Sequence, residues 1–316
     1  MKKCIIAVFA MLLMAALLCF ALGEDEKPAI VTTIFPIYDW TRNITGDDAN
    51  ITLLLDSGVD LHSFQPTAAD ILKIAACDAF IYVGGESDEW VEDALNTSVN
   101  PDLKALSLLE MLGDGIKTEE IIEGMEHEHE HDEDEHDEDE HEHEAEADEH
   151  VWLSLRNARA LVIAIAEGLG EIDPAHAGDY RANAAAYCER LAALDAEYAA
   201  AIAGAKYKTL LFGDRFPFRY MTDDYGLNYY AAFTGCSAET EASFETVAFL
   251  AGKLDELVLP AVMTIEGTDH RIAETIVQNA QSNAAILTLD SMQGINNGNY
   301  LDIMAQNLET LKRALN

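Results

Sequence analysis

The twenty-four residues from Glu126 to Glu149 contain sixteen acidic side chains and six histidines, and their only apolar members are two alanines. Such a segment cannot bury enough apolar surface to offset the conformational entropy lost on folding. It is expected to be a disordered, histidine-rich acidic loop, so the foldable chain lies on either side of it. A chain of 316 residues, 49% of them apolar, has room for two domains of ordinary size around the loop. Sixteen of the charges behind the formal net charge of −39 sit in this one window, and the remaining body is moderately acidic. Nineteen lysines and arginines against fifty-eight carboxylates exclude the clustered basic surface that nucleic acid requires. Acidity of this kind suits solubility or the attraction of cations.

The chain starts Met1-Lys2-Lys3, continues through an apolar run from Cys4 to Leu22, and reaches Gly23 before "EDEKP". Two lysines, an apolar stretch and small residues at Ala21 and Gly23 predict a secretory signal peptide over residues 1–23 and a mature protein working outside the cytoplasm. The alternative is a retained membrane anchor. Leu18 stands where a lipid-attachment motif at Cys19 wants a small residue, which disfavours lipidation. Beyond the signal, Cys77, Cys188 and Cys236 are widely spaced and odd in number, without a CxxC pair. That pattern disfavours both a thiolate zinc site and a disulfide framework, and each cysteine is expected to be a small buried apolar residue.

Short apolar runs alternate with helical segments along the chain. "AIVTT", "ITLLL" and "AFIYV" read as strands in the first half, with helix starts at Pro36 and at Thr67, where Asp70 follows three residues on. "KTLLF", "NYYAAF", "AVMTI" and "AAILTL" repeat the theme, with helices from Ser243 and Asp269. Strand alternating with helix implies two α/β lobes, each with a mainly parallel sheet. Between them, apolar positions at Tyr180, Ala184, Tyr187, Leu191, Leu194, Tyr198 and Ile202 fall at steps of three and four. This predicts one helix of about thirty residues over roughly 174–204, ~45 Å long, with no proline or glycine pair at which to bend. The expected domains are therefore a first lobe over 24–173, a rigid linking helix and a second lobe over 205–316.

In parallel α/β lobes, ligands gather at the carboxyl ends of the strands. The residues just past those ends include His62 in "DLHSFQP", Asp214 in "LLFGDRF", Glu266 in "TIEGTDH" and Asp290 in "LTLDSMQG", and His150 stands where ordered sequence resumes after the acidic run. Imidazoles and carboxylates form a nitrogen and oxygen site suited to Zn2+ and tolerable for Mn2+. An extracytoplasmic metallohydrolase could use the same residue types, but no HExxH motif is present. A passive metal buffer or surface adhesin needs no single tight site.

Three segments carry a resemblance: "VTTIFPIYDWTRNITGDDANITLLLDSGVDLHSFQPTAADILKIAACDAFIYVGG", the acidic histidine-rich insert, and "EHVWLSLRNARAL". Together they resemble the zinc-binding subunit of bacterial ABC importers, the solute-binding proteins of high-affinity zinc uptake. The similarity covers most of the mature chain and is most specific at "HSFQP" and "HVWLS". It implies α/β lobes joined by a backbone helix, one metal ion in the cleft between them, and delivery to a membrane ABC permease with its ATPase by a monomeric receptor in the periplasm or on the outer face of the membrane. His62 and His150 match the family's histidine ligands, and Asp290 matches its late carboxylate. The insert is similar to the loop of zinc-handling members, which favours zinc over manganese or iron. Where the family usually has a further histidine or glutamate, this sequence reads "FGDRFPFRYMTDDYGL". An ungapped match places Arg215 there, and one inserted residue brings Asp214 to that position. Asp214 is the expected ligand because a fixed guanidinium charge repels a cation; Glu266 is the reserve, with a salt bridge as its expected role.

Overall fold

The computed structural model describes residues 27–55, 60–125, 146–237, 241–293 and 298–316. The first lobe runs β1 (Ala29–Thr32), α1 (Phe35–Thr45), β2 (Asn50–Leu53), α2 (Ala68–Ala76), β3 (Ala79–Tyr82), α3 (Trp90–Leu95), β4 (Lys104–Ser107) and α4 (Leu108–Leu112). Two long helices follow, α5 (Leu155–Ile172) and α6 (Ala177–Gly204). The second lobe runs β5 (Thr209–Phe216), α7 (Arg219–Tyr225), β6 (Asn228–Thr234), α8 (Phe244–Glu256), β7 (Ala261–Ile265), α9 (Arg271–Asn279), β8 (Ala285–Leu289) and α10 (Tyr300–Ala314).

Each lobe holds a four-stranded sheet with parallel pairing throughout, in the orders β2-β1-β3-β4 and β6-β5-β7-β8. In both, the chain steps outward in one direction and then crosses back. The switch points therefore lie between β1 and β3 and between β5 and β7, and side chains at the carboxyl ends of these strands face a crevice. Local chemistry fixes the helix starts as the sequence predicts. Thr67 and Asp70 form a reciprocal capping box on α2, and the Ser243 hydroxyl accepts the Thr246 N–H at the start of α8.

Helix α6 buries Tyr180, Ala184, Tyr187, Leu191, Leu194, Tyr198 and Ile202, the stripe read from its spacing. Its 28 residues span about 42 Å. It begins at Ala177 rather than near Pro174, because Asp173 accepts hydrogen bonds from His176 Nδ1 (2.7 Å) and the Tyr180 hydroxyl (2.8 Å) and closes the preceding turn. The final helix ties the two halves together. The Tyr300 ring meets Trp40 edge-on at 5.1 Å, its N–H donates to Asp39, and its hydroxyl donates to the Trp152 carbonyl at 2.6 Å. One apolar cluster accordingly runs from β1 and β3 through α5 and α6 to α10.

The structure departs from the sequence expectations in several places. Strand β4 and helices α3, α4, α5, α7 and α10 are not among the elements read from the sequence. The acidic run is ordered at its end: Ala147 pairs with Thr118 in an isolated antiparallel bridge, and Asp148 and Glu149 are 2% and 1% exposed. Backbone bonds from Glu119 N–H to the Glu146 carbonyl and from Asp148 N–H to the Lys117 carbonyl, each 2.8 Å, hold this end in place. The expected signal peptide, and residues 126–145 of the run, lie outside the described residues. Among the described residues no helix is long and apolar enough to cross a membrane. Cys77 and Cys188 are buried free thiols, while Cys236 is only half-buried.

Candidate metal centre

His62 sits in a short 3-10 turn, Leu61–Ser63, on the loop after β2, and Asp60 caps that turn by accepting the His62 N–H at 3.0 Å. His150 precedes a second such turn, Val151–Leu153, and is fully buried. Asp148 Oδ1 accepts both the His150 N–H (2.9 Å) and its ring Nδ1–H (3.0 Å), which leaves a lone pair on Nε2. The two Nε2 atoms lie 3.2 Å apart. Two nitrogens bound to one tetrahedral zinc are separated by about 3.3 Å, so the pair already has the spacing of metal ligands.

The far side of His62 is also held. Its Nδ1 is 2.7 Å from Ser87 Oγ and 3.7 Å from Glu149 Oε2, while Ser87 N–H donates to Glu149 Oε1 at 2.8 Å. Burial and the neighbouring His150 ring push the His62 pKa down to about 3, so the imidazole is neutral at ordinary pH and one of its two ring nitrogens keeps a free lone pair. Burial also raises the Glu149 carboxyl, whose Oε2 has no hydrogen-bond partner among the described residues. Gly85 makes this packing possible: its φ is +84°, and a Cβ there would stand 2.4 Å from Glu149 Oε1.

Among the described residues one group of histidine, cysteine and carboxylate side chains is arranged to hold a metal ion, and its third member is Cys236. The ligand atoms of His62, His150 and Cys236 all lie within 4.8 Å of one another. Cys236 follows β6, and its N–H donates to Glu119 Oε1 at 2.9 Å. Burial, then the carboxylates of Glu119, Glu149 and Asp148, push its thiol well above the ordinary range. Sequence spacing disfavours a thiolate site and does not single out this residue. The signal was available, since "TGC" after "NYYAAF" is a strand end like those that supplied the other candidates.

The predicted carboxylates are not members of this group. Asp214 is the sixth residue of β5 rather than the residue after it, because the strand continues past a register shift between Phe212 and Arg215. Its Oδ2 accepts the Ile265 N–H (3.1 Å) and the Thr268 hydroxyl (2.7 Å), and its Oδ1 accepts the Arg215 N–H (2.9 Å). Asp290 follows β8, where its N–H donates to Asn307 and its Oδ1 accepts the Met292 N–H at 2.8 Å. Glu266 was expected in a salt bridge; its recorded partners are instead the Ser291 N–H and hydroxyl and the Gln293 N–H. Burial and the nearby Asp290 raise its pKa to about 7. Gln293 places its amide nitrogen 2.7 Å from His150 Nε2.

Arg215 reaches across the cleft. Its Nη2 meets Asp60 Oδ2 at 2.5 Å, joining the second lobe to the residue that caps the His62 turn. Burial alone would raise the Asp60 carboxyl, but the guanidinium outweighs it and holds Asp60 below the usual carboxylate range. The charge that would repel a cation is thus neutralised within the site. Beside it opens a cavity of about 510 Å³, lined by Asp60 and His62 from the first lobe and by Asp214, Arg215, Thr268 and His270 from the second.

Two parallel α/β lobes of matching strand order, fastened by a 28-residue helix and meeting over a buried imidazole pair, define a helical-backbone metal receptor. The chain belongs to the family described as the periplasmic component A of the zinc-uptake complex, whose family model matches residues 30–314. The zinc-binding protein AdcA of Streptococcus pyogenes is 30% identical over 295 residues, covering 91% of this chain. The match takes in 56% of AdcA, so the chain spans about half the length of that relative. The high-affinity zinc uptake system protein ZnuA of Bacillus subtilis is 29% identical over 93% of this chain and 89% of its own length. Among solved structures, the Zn(II)-bound ZnuA-like domain of Streptococcus pneumoniae AdcA superposes with a TM-score of 0.71 at 28% identity, covering 92% of this chain and 99% of that domain. The periplasmic zinc binding protein TroA of Treponema pallidum, at 22% identity and a TM-score of 0.75, shares the fold.

Proposed function

We propose that this chain captures Zn2+ as cargo in the cleft between its lobes, outside the cytoplasm, and delivers it to a membrane ABC permease driven by an ATPase. The observation that carries this is the His62–His150 pair, with Nε2 atoms 3.2 Å apart and each Nδ1 face engaged by its own lobe. The names of AdcA and ZnuA point the same way. Mn2+ is the runner-up cargo. The ligand set implied by resemblance is His62, His150, Asp214 and Asp290; the two carboxylates would have to leave their present partners to complete it. A site filled by side chains leaves zinc no open position for a nucleophilic water, so the expected outcome is binding without turnover.

Residues 126–145 are proposed as a weak antenna. Scattered imidazoles in an acidic field concentrate cations, and the entropy of ordering the segment keeps each contact reversible. The described residues flanking it are tied to each other and to the second lobe, through Glu119 to Glu146 and through Lys117 to the Tyr220 hydroxyl.

Chelator competition on the full chain and on His62→Ala tests the proposal. One tight zinc ion that disappears with His62 supports the cleft site. A tight ion that survives the substitution overturns it and leaves the buffer reading. Removing 126–145 should lower the count of weak ions and leave the tight one in place.

A further inference from the structure

We infer that Cys236 is the third protein ligand of the cargo ion, making the site a nitrogen, nitrogen and sulfur set. The inference deepens the cation-capture reading above and rests on it. Three observations lead there. First, the Cys236 sulfur lies within 4.8 Å of the ligand nitrogens of both His62 and His150, and no carboxylate of the described residues joins that group. Second, the backbone reaches this place by a close approach at which a side chain would crowd its neighbours. A Cβ on Gly235 would stand 3.0 Å from His150 Cε1, 3.1 Å from its Nδ1 and 3.0 Å from the Phe216 carbonyl. The Glu119 carboxylate, from the segment leading into the acidic run, then holds the Cys236 N–H.

Third, the other two cysteines show what a structural thiol does in this fold. Cys77 Sγ turns to the Ile74 carbonyl at 3.2 Å and Cys188 Sγ to the Arg159 carbonyl at 3.5 Å, both in helical surroundings. Cys236 instead hydrogen-bonds the Glu119 side chain and has its sulfur within 4.8 Å of two imidazoles, past the end of a strand, where ligands bind in folds of this kind. Asp214, by contrast, already accepts three hydrogen bonds, two of which hold the ends of β5 and β7 together. Asp290, the carboxylate implied by the resemblance, remains the candidate for the fourth position.

The chemical consequence is selectivity. A thiolate is a soft donor that zinc accepts and manganese disfavours, so sulfur in the set would select Zn2+ over Mn2+ without relying on cavity size. Binding would exchange the thiol proton for the metal: the S–H bond breaks, a Zn–S bond forms, and one proton is released to solvent.

Co2+ titrated anaerobically into the reduced full chain provides the probe, because thiolate ligation gives a charge-transfer band in the near ultraviolet that imidazole and carboxylate ligation do not. The expected result is a band that saturates at the first equivalent, and a zinc-loaded X-ray absorption spectrum with a sulfur shell at about 2.3 Å beside nitrogen at about 2.0–2.1 Å. Cys236→Ser should abolish the band, and Cys236→Asp should narrow the preference for zinc over manganese by more than about tenfold. A tight, His62-dependent ion whose wild-type spectra contain no sulfur overturns the proposal while leaving the receptor reading intact. A sulfur band retained in Cys236→Ser also overturns it. Failure of the full chain to hold any ion tightly removes both.

Discussion

The two lobes share a strand order but use their strand ends differently. The first lobe presents imidazoles, and its own residues hold them: Asp60 caps the His62 turn, Ser87 and Glu149 face the back of that ring, and Asp148 fixes the tautomer of His150. The second lobe presents carboxylates that are already engaged. Asp214 joins β5 to the end of β7, and Glu266 gathers the Ser291–Gln293 loop. The first lobe is thus pre-organised to bind, whereas the polar groups of the second hold its own loops in shape. Similar topology therefore does not imply similar chemistry at the strand ends, and substitutions at the imidazoles should act on affinity while those at Asp214 and Glu266 act on integrity.

The largest expected effect is on the first side. His150→Ala removes a fully buried imidazole, the proposed ligand, and leaves Asp148 without its ring partner. Zinc affinity should fall by more than the roughly 10–100-fold that loss of an outer-shell partner costs, measured by chelator competition. On the second side, Asp214→Ala should act on stability. It leaves the Ile265 N–H without its acceptor and the Thr268 hydroxyl with only the Ile265 carbonyl to donate to, at about 1–3 kcal/mol, read as a lower urea midpoint, with zinc affinity within about threefold of the parent. A folded Asp214→Ala protein that has lost its tight ion would erase the contrast and make Asp214 a ligand, as the resemblance implies.

Much of this contrast was legible in the sequence, for physical reasons that also mark where legibility ends. The α6 stripe follows from a period of three to four residues, which a buried helix cannot hide. His62 and His150 were placed by strand-end position and by the edge of the acidic run. Helix α5 was missed although it buries Leu161, Val162, Ile165 and Leu169. Asp214 was misplaced relative to its strand because a register shift is a property of pairing between strands. Cys236 is not legible from spacing along the chain, since the imidazoles beside it come from residues 62 and 150. No local pattern announces Arg215 as the partner of Asp60, since that contact exists only once the lobes face each other.

Each lobe also buries one carboxyl near the end of its third strand in chain order, Asp88 after β3 and Glu266 after β7, and burial raises each to about 7. A carboxyl whose folded pKa is raised binds its proton more tightly in the native state. The stability it contributes is present in full below the unfolded value near 4 and is lost as pH rises through 7. Metal-free protein should therefore unfold at lower urea at pH 8 than at pH 5, these two groups contributing about 1–3 kcal/mol to the difference. Glu266→Gln and Asp88→Asn should each flatten part of the slope. If only one does, burial differs between the lobes in a way their matching positions conceal.

The smallest effect concerns the tie between the halves. Arg215 and Asp60 form a partly exposed ion pair, with side chains 16% and 29% exposed, so their coupling should be about 1 kcal/mol and should weaken with salt. A double-mutant cycle on metal-free stability isolates it. Arg215→Gln removes the charge, and Asp60→Asn keeps a side chain able to cap the His62 turn. The double variant should be less destabilised than the sum of the singles. Because Asp60 is held below its ordinary range by the guanidinium, this contribution is present above about pH 4 and is lost as pH falls further. That direction is opposite to the one expected of Asp88 and Glu266, so an acid titration of the cycle separates the two kinds of carboxylate. If the coupling is zero at low salt, the lobes are held by α6, α10, the shared apolar cluster and cross-lobe hydrogen bonds such as that of the Lys117 N–H to the Tyr220 hydroxyl, and the cross-cleft pair acts only to cancel the arginine charge beside the proposed metal site.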